Sequence, residues 1–87
     1  LQPGMERYEA GAFGEAIALW QTALTQTSTP QEKALIYRNL GRAYRQTGKL
    51  GAAIGSWNRA IAIYQADNHP DSQTALAALQ TQVAQAY

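Results

Sequence analysis

Apolar side chains follow a helical period in two segments of the chain. Each segment places apolar residues at positions i, i+3, i+4, i+7, i+10 and i+11, from Phe13 to Leu24 and from Leu50 to Ile61. This spacing gathers the apolar residues on one face of a helix with about 3.6 residues per turn. No segment shows the alternation that is typical of a strand. The pattern therefore predicts an all-α chain.

Start and stop residues mark another helix between these two segments. Thr29 is a candidate N-cap, Pro30 suits the first helical position, and Glu32 follows the cap by three residues, as in a capping box. Gly48 is expected to end this helix, because glycine readily adopts the left-handed conformation found at helix C-termini. The predicted helix spans residues 30–47.

Weaker signals predict an opening helix and a closing helix. Gly11 is expected to end the first, and either Asp71 or Ser72 is expected to cap the last, just after Pro70. The connections are only a few residues long, so neighbouring helices should be antiparallel. The five predicted helices span residues 3–10, 13–26, 30–47, 50–66 and 72–87.

The two apolar segments repeat each other at a constant offset of 37 residues. Trp20 matches Trp57 in this register, and Gly4 matches Gly41. A gapless offset that keeps two tryptophans aligned indicates an internal repeat. Because both tryptophans fall within the apolar faces, we predict that their rings are buried rather than used as stacking platforms for a ligand.

The second copy of the repeat resembles the tetratricopeptide repeat (TPR) family. The residues that carry the resemblance, in the order of the family's W-x₂-L-G-x₂-Y…A-x₃-F…A pattern, are Tyr37, Leu40, Gly41, Tyr44, Ala53, Trp57 and Ala60. The aromatic residues Tyr37 and Trp57 stand where the family has Trp and Phe. The resemblance implies a right-handed superhelical stack of antiparallel helix pairs, about five helices in all.

On this resemblance, residues 1–87 form a single TPR-like domain. Residues 1–26 are a first repeat with a truncated first helix, and residues 30–66 are a second repeat. Residues 72–87 are a capping helix or the first helix of a third repeat. Repeats of this kind act as scaffolds or adaptors, commonly beside catalytic domains in bacterial proteins, so the resemblance implies protein binding.

The composition suits a helical repeat that packs on alanine. Leu, Ile, Val and Phe account for only 15 of the 87 residues, whereas Ala accounts for 17. Such scarcity accompanies disorder when the net charge is high, but the net charge here is +1. A chain of this length buries a marginal core. We therefore expect it to be a fragment of a longer protein or a unit that associates.

The charge is concentrated in the middle of the chain. Residues 33–66 carry six basic side chains and no acidic one. Arg38, Arg42 and Arg45 recur at i, i+4 and i+7, on one face of the predicted helix 30–47. In the TPR family, the first helix of each repeat lines a concave groove. The predicted peptide-binding residues are therefore Arg38, Asn39, Arg42 and Arg45, flanked by Tyr8, Gln82 and Gln85.

These residue types suit an acidic peptide or a C-terminal carboxylate. Arginine offers a planar, bidentate fork to a carboxylate, and asparagine can bind a peptide backbone. The simpler interpretation is a solvated helix face opposite the core. A third interpretation is a structural or self-associating repeat segment, a homo-oligomer joined through the exposed side of Leu76, Leu79 and Val83. Nucleic-acid binding is disfavoured, because the pI of 8.3 is below that of typical nucleic-acid-binding domains.

Catalytic and metal chemistry find little support in the sequence. The chain has no cysteine and one histidine, His69, in a polar turn. No nucleotide-binding glycine motif occurs, and no apolar run reaches the length of a membrane span. We predict neither enzymatic activity nor a cofactor. No signal-peptide pattern precedes the first helix, which favours the cytoplasm, whereas export would imply that a leader had been removed.

Overall fold

The chain folds into helices that pack in the order of the sequence. The computed structural model describes residues 2–66 and 70–86, and every regular element within them is helical. The helices are α1 (Gln2–Glu9), α2 (Phe13–Gln26), α3 (Pro30–Gln46), α4 (Leu50–Ala66) and α5 (Pro70–Ala86). Each helix packs against its successor, and the largest interface joins α3 to α4. The all-α prediction is confirmed.

The bounds of α2 and α4 are those predicted, and the bounds of the other helices differ from the predicted ones by at most two residues. The largest difference is at α5, which begins at Pro70 rather than at residue 72. Proline suits the first turn of a helix because its missing N–H has no intrahelical partner there. Asp71 and Ser72 therefore lie inside the helix, and the prediction that one of them is the N-cap is wrong. His69 and Tyr87 lie outside the described residues.

The start of α3 keeps the predicted cap position but not the predicted side-chain contacts. Thr29 is the N-cap residue, with extended backbone angles, and its side chain makes no capping hydrogen bond. The hydroxyl of Thr27 instead donates to the carboxylate of Glu32. The carboxylate is thus turned toward the preceding turn, so the capping box predicted here is wrong.

Two glycines end helices in the same way. Gly48 has a φ of +79°, its N–H donates to the carbonyl of Arg45 at 3.1 Å, and the N–H of Lys49 donates to the carbonyl of Tyr44 at 2.9 Å. These two bonds form a Schellman motif, which requires the left-handed conformation at the glycine. Gly11, with a φ of +83°, makes the equivalent pair of bonds after α1. Both predicted stop positions are confirmed.

A glycine faces a tryptophan in each helix pair. A Cβ atom added at Gly41 would lie closer than 3.0 Å to the ring of Trp57, and one added at Gly4 would lie equally close to the ring of Trp20. Trp57 is 0% exposed and Trp20 is 1% exposed. The predicted burial of both tryptophans is confirmed. The offset of 37 residues therefore recurs in the contacts that join α1 to α2 and α3 to α4.

Alanine and aromatic residues build most of two core clusters. One cluster contains Ala34, Ala53, Trp57, Ala60, Tyr64 and Leu79. The other contains Ala16, Trp20, Ile36, Leu40 and Ala43. Tyr37 and Tyr44, which are half-buried, pack against both clusters. Small side chains let the helices approach closely, and the rings fill the space between them.

The apolar side of α5 is not a free surface. Leu79 is 1% exposed, and Leu76 and Val83 pack against the same cluster as Leu79. The predicted exposure of Leu79 is therefore wrong, because α5 turns it toward α4, while Leu76 and Val83 are half-buried. Self-association of the chain stays a prediction. Gly51 and Gly55 of α4 are exposed, and a Cβ at either would meet nothing within 4 Å.

Candidate functional site

The three arginines of α3 lie on the side of the helix opposite Ile36 and Leu40. Ile36 and Leu40 are buried, whereas Arg42 and Arg45 are exposed and Arg38 is half-buried. At about 100° per residue, Arg38, Arg42 and Arg45 point roughly opposite to Ile36. We call these three residues the arginine face.

Tyr8 of α1 lies against the arginine face. The guanidinium carbon of Arg42 is 5.0 Å from the centroid of the Tyr8 ring, a cation–π distance. The side-chain amide of Gln46 also approaches the Tyr8 hydroxyl, at 3.5 Å. The ring of Phe13 also packs against that of Tyr8, edge to face with centroids 5.2 Å apart. The structure thus brings Tyr8 and Arg42 together, as the sequence predicted.

The backbone beneath the arginine face is tied to the core. The indole Nε1 of Trp57 donates to the carbonyl of Arg38 at 3.3 Å. Trp20 stands at the equivalent position of the first repeat, yet its buried Nε1 has no acceptor among the described residues. The residue that corresponds to Arg38 is residue 1, which lies outside the described residues. Among the described residues, the indole hydrogen bond is therefore seen for Trp57 and not for Trp20.

Asn39 occupies a recessed position beside the arginines. It is 7% exposed, while Arg42 three residues later is exposed. Its side-chain amide forms no hydrogen bond with any described residue. An amide carries two donor hydrogens and an acceptor oxygen, and the amide atoms of Asn39 are not among the described buried atoms that lack a partner, so they reach solvent. Asn39 therefore retains hydrogen-bonding capacity within reach of the arginine face.

The basic side chains of the middle segment are not neutralised within the fold. Across residues 2–66 and 70–86, no basic nitrogen lies within 4.0 Å of a carboxylate oxygen. Arg59 of α4 lies instead over the ring of Tyr37, at 5.9 Å. The positive charge of α3 is therefore available to an external anion.

The predicted glutamines of α5 are not brought to this face. Gln82 is half-buried and Gln85 is exposed, and α5 packs along α4 with no comparable interface with α3. In the part of the chain that the structure describes, no hydrogen bond joins either glutamine to an arginine of α3.

Sequence reasoning missed Leu35 and Gln46. Both lie near Arg42 around the α3 axis, and Leu35 is 37% exposed. Leu35 precedes the buried Ile36 and falls just outside the apolar face of the helix. The signal in the sequence is therefore a leucine that lies one position outside the apolar face of the predicted helix.

Neither a metal site nor a membrane span is found in the described residues. No group of three His, Cys, Asp or Glu side chains there could hold a metal ion. Among the same residues, none of the helices combines the length and the apolar character needed to cross a bilayer.

Comparisons with known proteins found no match. No family model matches the chain, and neither a curated protein nor a solved structure matches it.

Proposed function

We propose that the chain is a non-enzymatic protein–protein interaction module of the TPR type. In this proposal, antiparallel helix pairs stack in a right-handed superhelix, and α1 and α3 line a concave groove. The glycine–tryptophan contact supports the proposal, because it recurs at Gly4–Trp20 and Gly41–Trp57 with the offset seen in the sequence. Repeats of this kind bury their apolar faces only by stacking on one another.

The proposed ligand is an acidic segment of a partner protein, bound across the arginine face. The observation that carries this proposal is that Arg38, Arg42 and Arg45 share one side of α3 without a carboxylate partner among the described residues. Charge-assisted bonds from arginine to carboxylate are the strong hydrogen bonds of protein interfaces. Asn39 would bind the ligand backbone, and Tyr8 would hold the guanidinium of Arg42 in place.

A nucleic-acid ligand fits the face less well. Binding to phosphates gains most of its energy from many basic contacts, and single-stranded ligands also need exposed aromatic rings on which bases can stack. Trp20 and Trp57 are both buried and cannot serve as such rings. The pI of 8.3 is also below the value above 9 that is typical of nucleic-acid-binding domains.

The arginine face can be tested with a charge reversal and a matched control. We would titrate the ¹⁵N-labelled chain with short synthetic peptides that contain two adjacent aspartates, and follow the backbone amide shifts. Arg42→Glu should abolish the shifts on α3, whereas Arg59→Glu should leave them. The two variants change the charge equally, and each removes one arginine from a tyrosine ring.

Circular dichroism of both variants would verify that the helices remain. The reasoning fails if the acidic peptides shift no amide of α3 in the unaltered chain, or if Arg42→Glu and Arg59→Glu weaken binding to the same extent. Binding should also fall as salt rises, because exposed charges are screened over about 10 Å at 0.1 M.

A further inference from the structure

A strip that is apolar at one end and cationic at the other runs along α3. Leu35, Asn39 and Arg42 are separated by four and three residues, so they lie within about 60° around the helix axis. Leu35 is 37% exposed and Arg42 is exposed, whereas Asn39 between them is 7% exposed. The strip thus presents an apolar side chain, a recessed amide and a guanidinium in that order.

The two ends of this strip differ in chemistry, so a ligand that covers both ends should carry an apolar group and an acidic group. Leu35 is one of three large apolar side chains that remain exposed among the described residues, with Leu19 and Leu50. It is the one that shares a helix face with Asn39 and an arginine. An apolar ligand group at Leu35 would remove that surface from water, while an acidic group would pair with Arg42.

The distance between the two ends fixes the spacing within the ligand. Leu35 and Arg42 are seven positions apart in the helix, which corresponds to about 10 Å along the axis. A polyproline II segment rises about 9 Å over three residues and brings side chains i and i+3 to the same side. Its backbone has no internal hydrogen bonds, so it can pair with the unbonded amide of Asn39.

We infer that this strip, whose cationic end is Arg42 of the arginine face, binds an extended, polyproline II-like peptide with an apolar residue three positions from an acidic one, and that Leu35 receives the apolar side chain. This inference depends on the proposed function, because it specifies the ligand of the same face. Arg42 binds the acidic group, Asn39 binds the backbone between the two side chains, and Tyr8 supports Arg42.

The test uses fluorescent peptides with blocked ends and two adjacent aspartates. One pair of peptides carries a single leucine three residues before or after the aspartates. One control peptide carries serine in place of the leucine. A second control peptide carries the leucine directly next to the aspartates. We expect one member of the pair to bind about tenfold tighter than either control, as burial of a leucine side chain permits.

Two leucine variants assign this preference to a position. Leu35→Ala should abolish the tenfold preference, whereas Leu50→Ala should retain it, since Leu50 is 46% exposed at the start of α4 and lies off the strip. Equal affinity for all four peptides, or a preference that survives in Leu35→Ala, overturns this inference and leaves the proposed function standing. If none of the acidic peptides binds, both are overturned.

Discussion

Replacing Gly41 with alanine should destabilise the fold, although alanine is normally the better helix residue. Gly41 lies in the interior of α3, where glycine is about 1 kcal/mol less favourable than alanine. The added methyl group, however, would lie closer than 3.0 Å to the ring of Trp57. That ring is 0% exposed, and its Nε1 is bonded to the carbonyl of Arg38, so it has little room to move.

The net effect follows from the difference between these two terms. Overpacking a filled core costs about 1–3 kcal/mol, and a contact with a fully buried indole belongs at the upper end. Subtracting the gain of about 1 kcal/mol in helix propensity leaves a loss of about 2 kcal/mol. For a domain of this size, each kcal/mol corresponds to about 4–8 °C in Tm. The Tm of Gly41→Ala should therefore fall by roughly 8–16 °C.

Gly55→Ala is the matched control. Gly55 lies inside α4, but a Cβ there meets nothing within 4 Å, so only the gain in helix propensity remains. Its Tm should rise by about 4–8 °C. Thermal and urea unfolding would be followed by far-ultraviolet circular dichroism and by tryptophan fluorescence.

A second substitution tests whether the loss comes from the indole. In a Trp57→Leu background the clash disappears, so adding Gly41→Ala should be neutral or stabilising, a coupling that a double-mutant cycle measures. If Gly41→Ala is as stable as the unaltered chain, or if the loss persists without the indole, the close packing of α3 on α4 is not as described.

The remaining predictions concern a turn, a buried donor and the last helix. Gly48→Ala should cost about 1–2 kcal/mol in urea unfolding, because alanine is strained at a φ of +79°; an unchanged midpoint would contradict the Schellman turn. Trp57→Phe should lower the free energy of unfolding by about 1 kcal/mol more than Trp20→Phe, since only Trp57 has an acceptor for its Nε1 among the described residues. Equal losses in urea unfolding would argue against that hydrogen bond. Leu79→Ala should lower the free energy of unfolding by about 2–5 kcal/mol, because Leu79 is buried, whereas exposed Leu50 can be replaced by alanine with little change. Similar stabilities of the two variants would show that α5 does not pack on α4.

Local signals in the sequence predicted the helices and their stops. The helical period places Trp20 and Trp57 on apolar faces, and a left-handed stop requires a residue such as Gly11 or Gly48, so each inference needs only a short window. These predictions are confirmed within one or two residues of each helix end. The offset of 37 residues added a longer-range expectation, the matching glycine–tryptophan contacts, which the structure also contains.

Side-chain partners were harder to predict, because they depend on neighbouring helices and turns. The predicted capping box is absent because the carboxylate of Glu32 accepts a hydrogen bond from the hydroxyl of Thr27, which lies before the cap. The burial of Asn39 and the exposure of Leu35 cannot be read from α3 alone, since each depends on what packs beside it. The burial of Leu79 is missed for the same reason, because the apolar pattern of α5 does not show that this side of the helix packs against α4.

The internal repeat separates residues that maintain the fold from residues that are free to differ. At the offset of 37, glycines and tryptophans recur, but Arg42 and Arg45 correspond to Met5 and Tyr8. The arginine face is therefore not required for stacking helices, since the first repeat packs without it. The two repeats supply different chemistry where they meet: the half-buried ring of Tyr8 from α1, and the guanidinium group of Arg42 from α3. A ligand that spans both helices should accordingly combine apolar and acidic groups, the same combination that the strip along α3 requires.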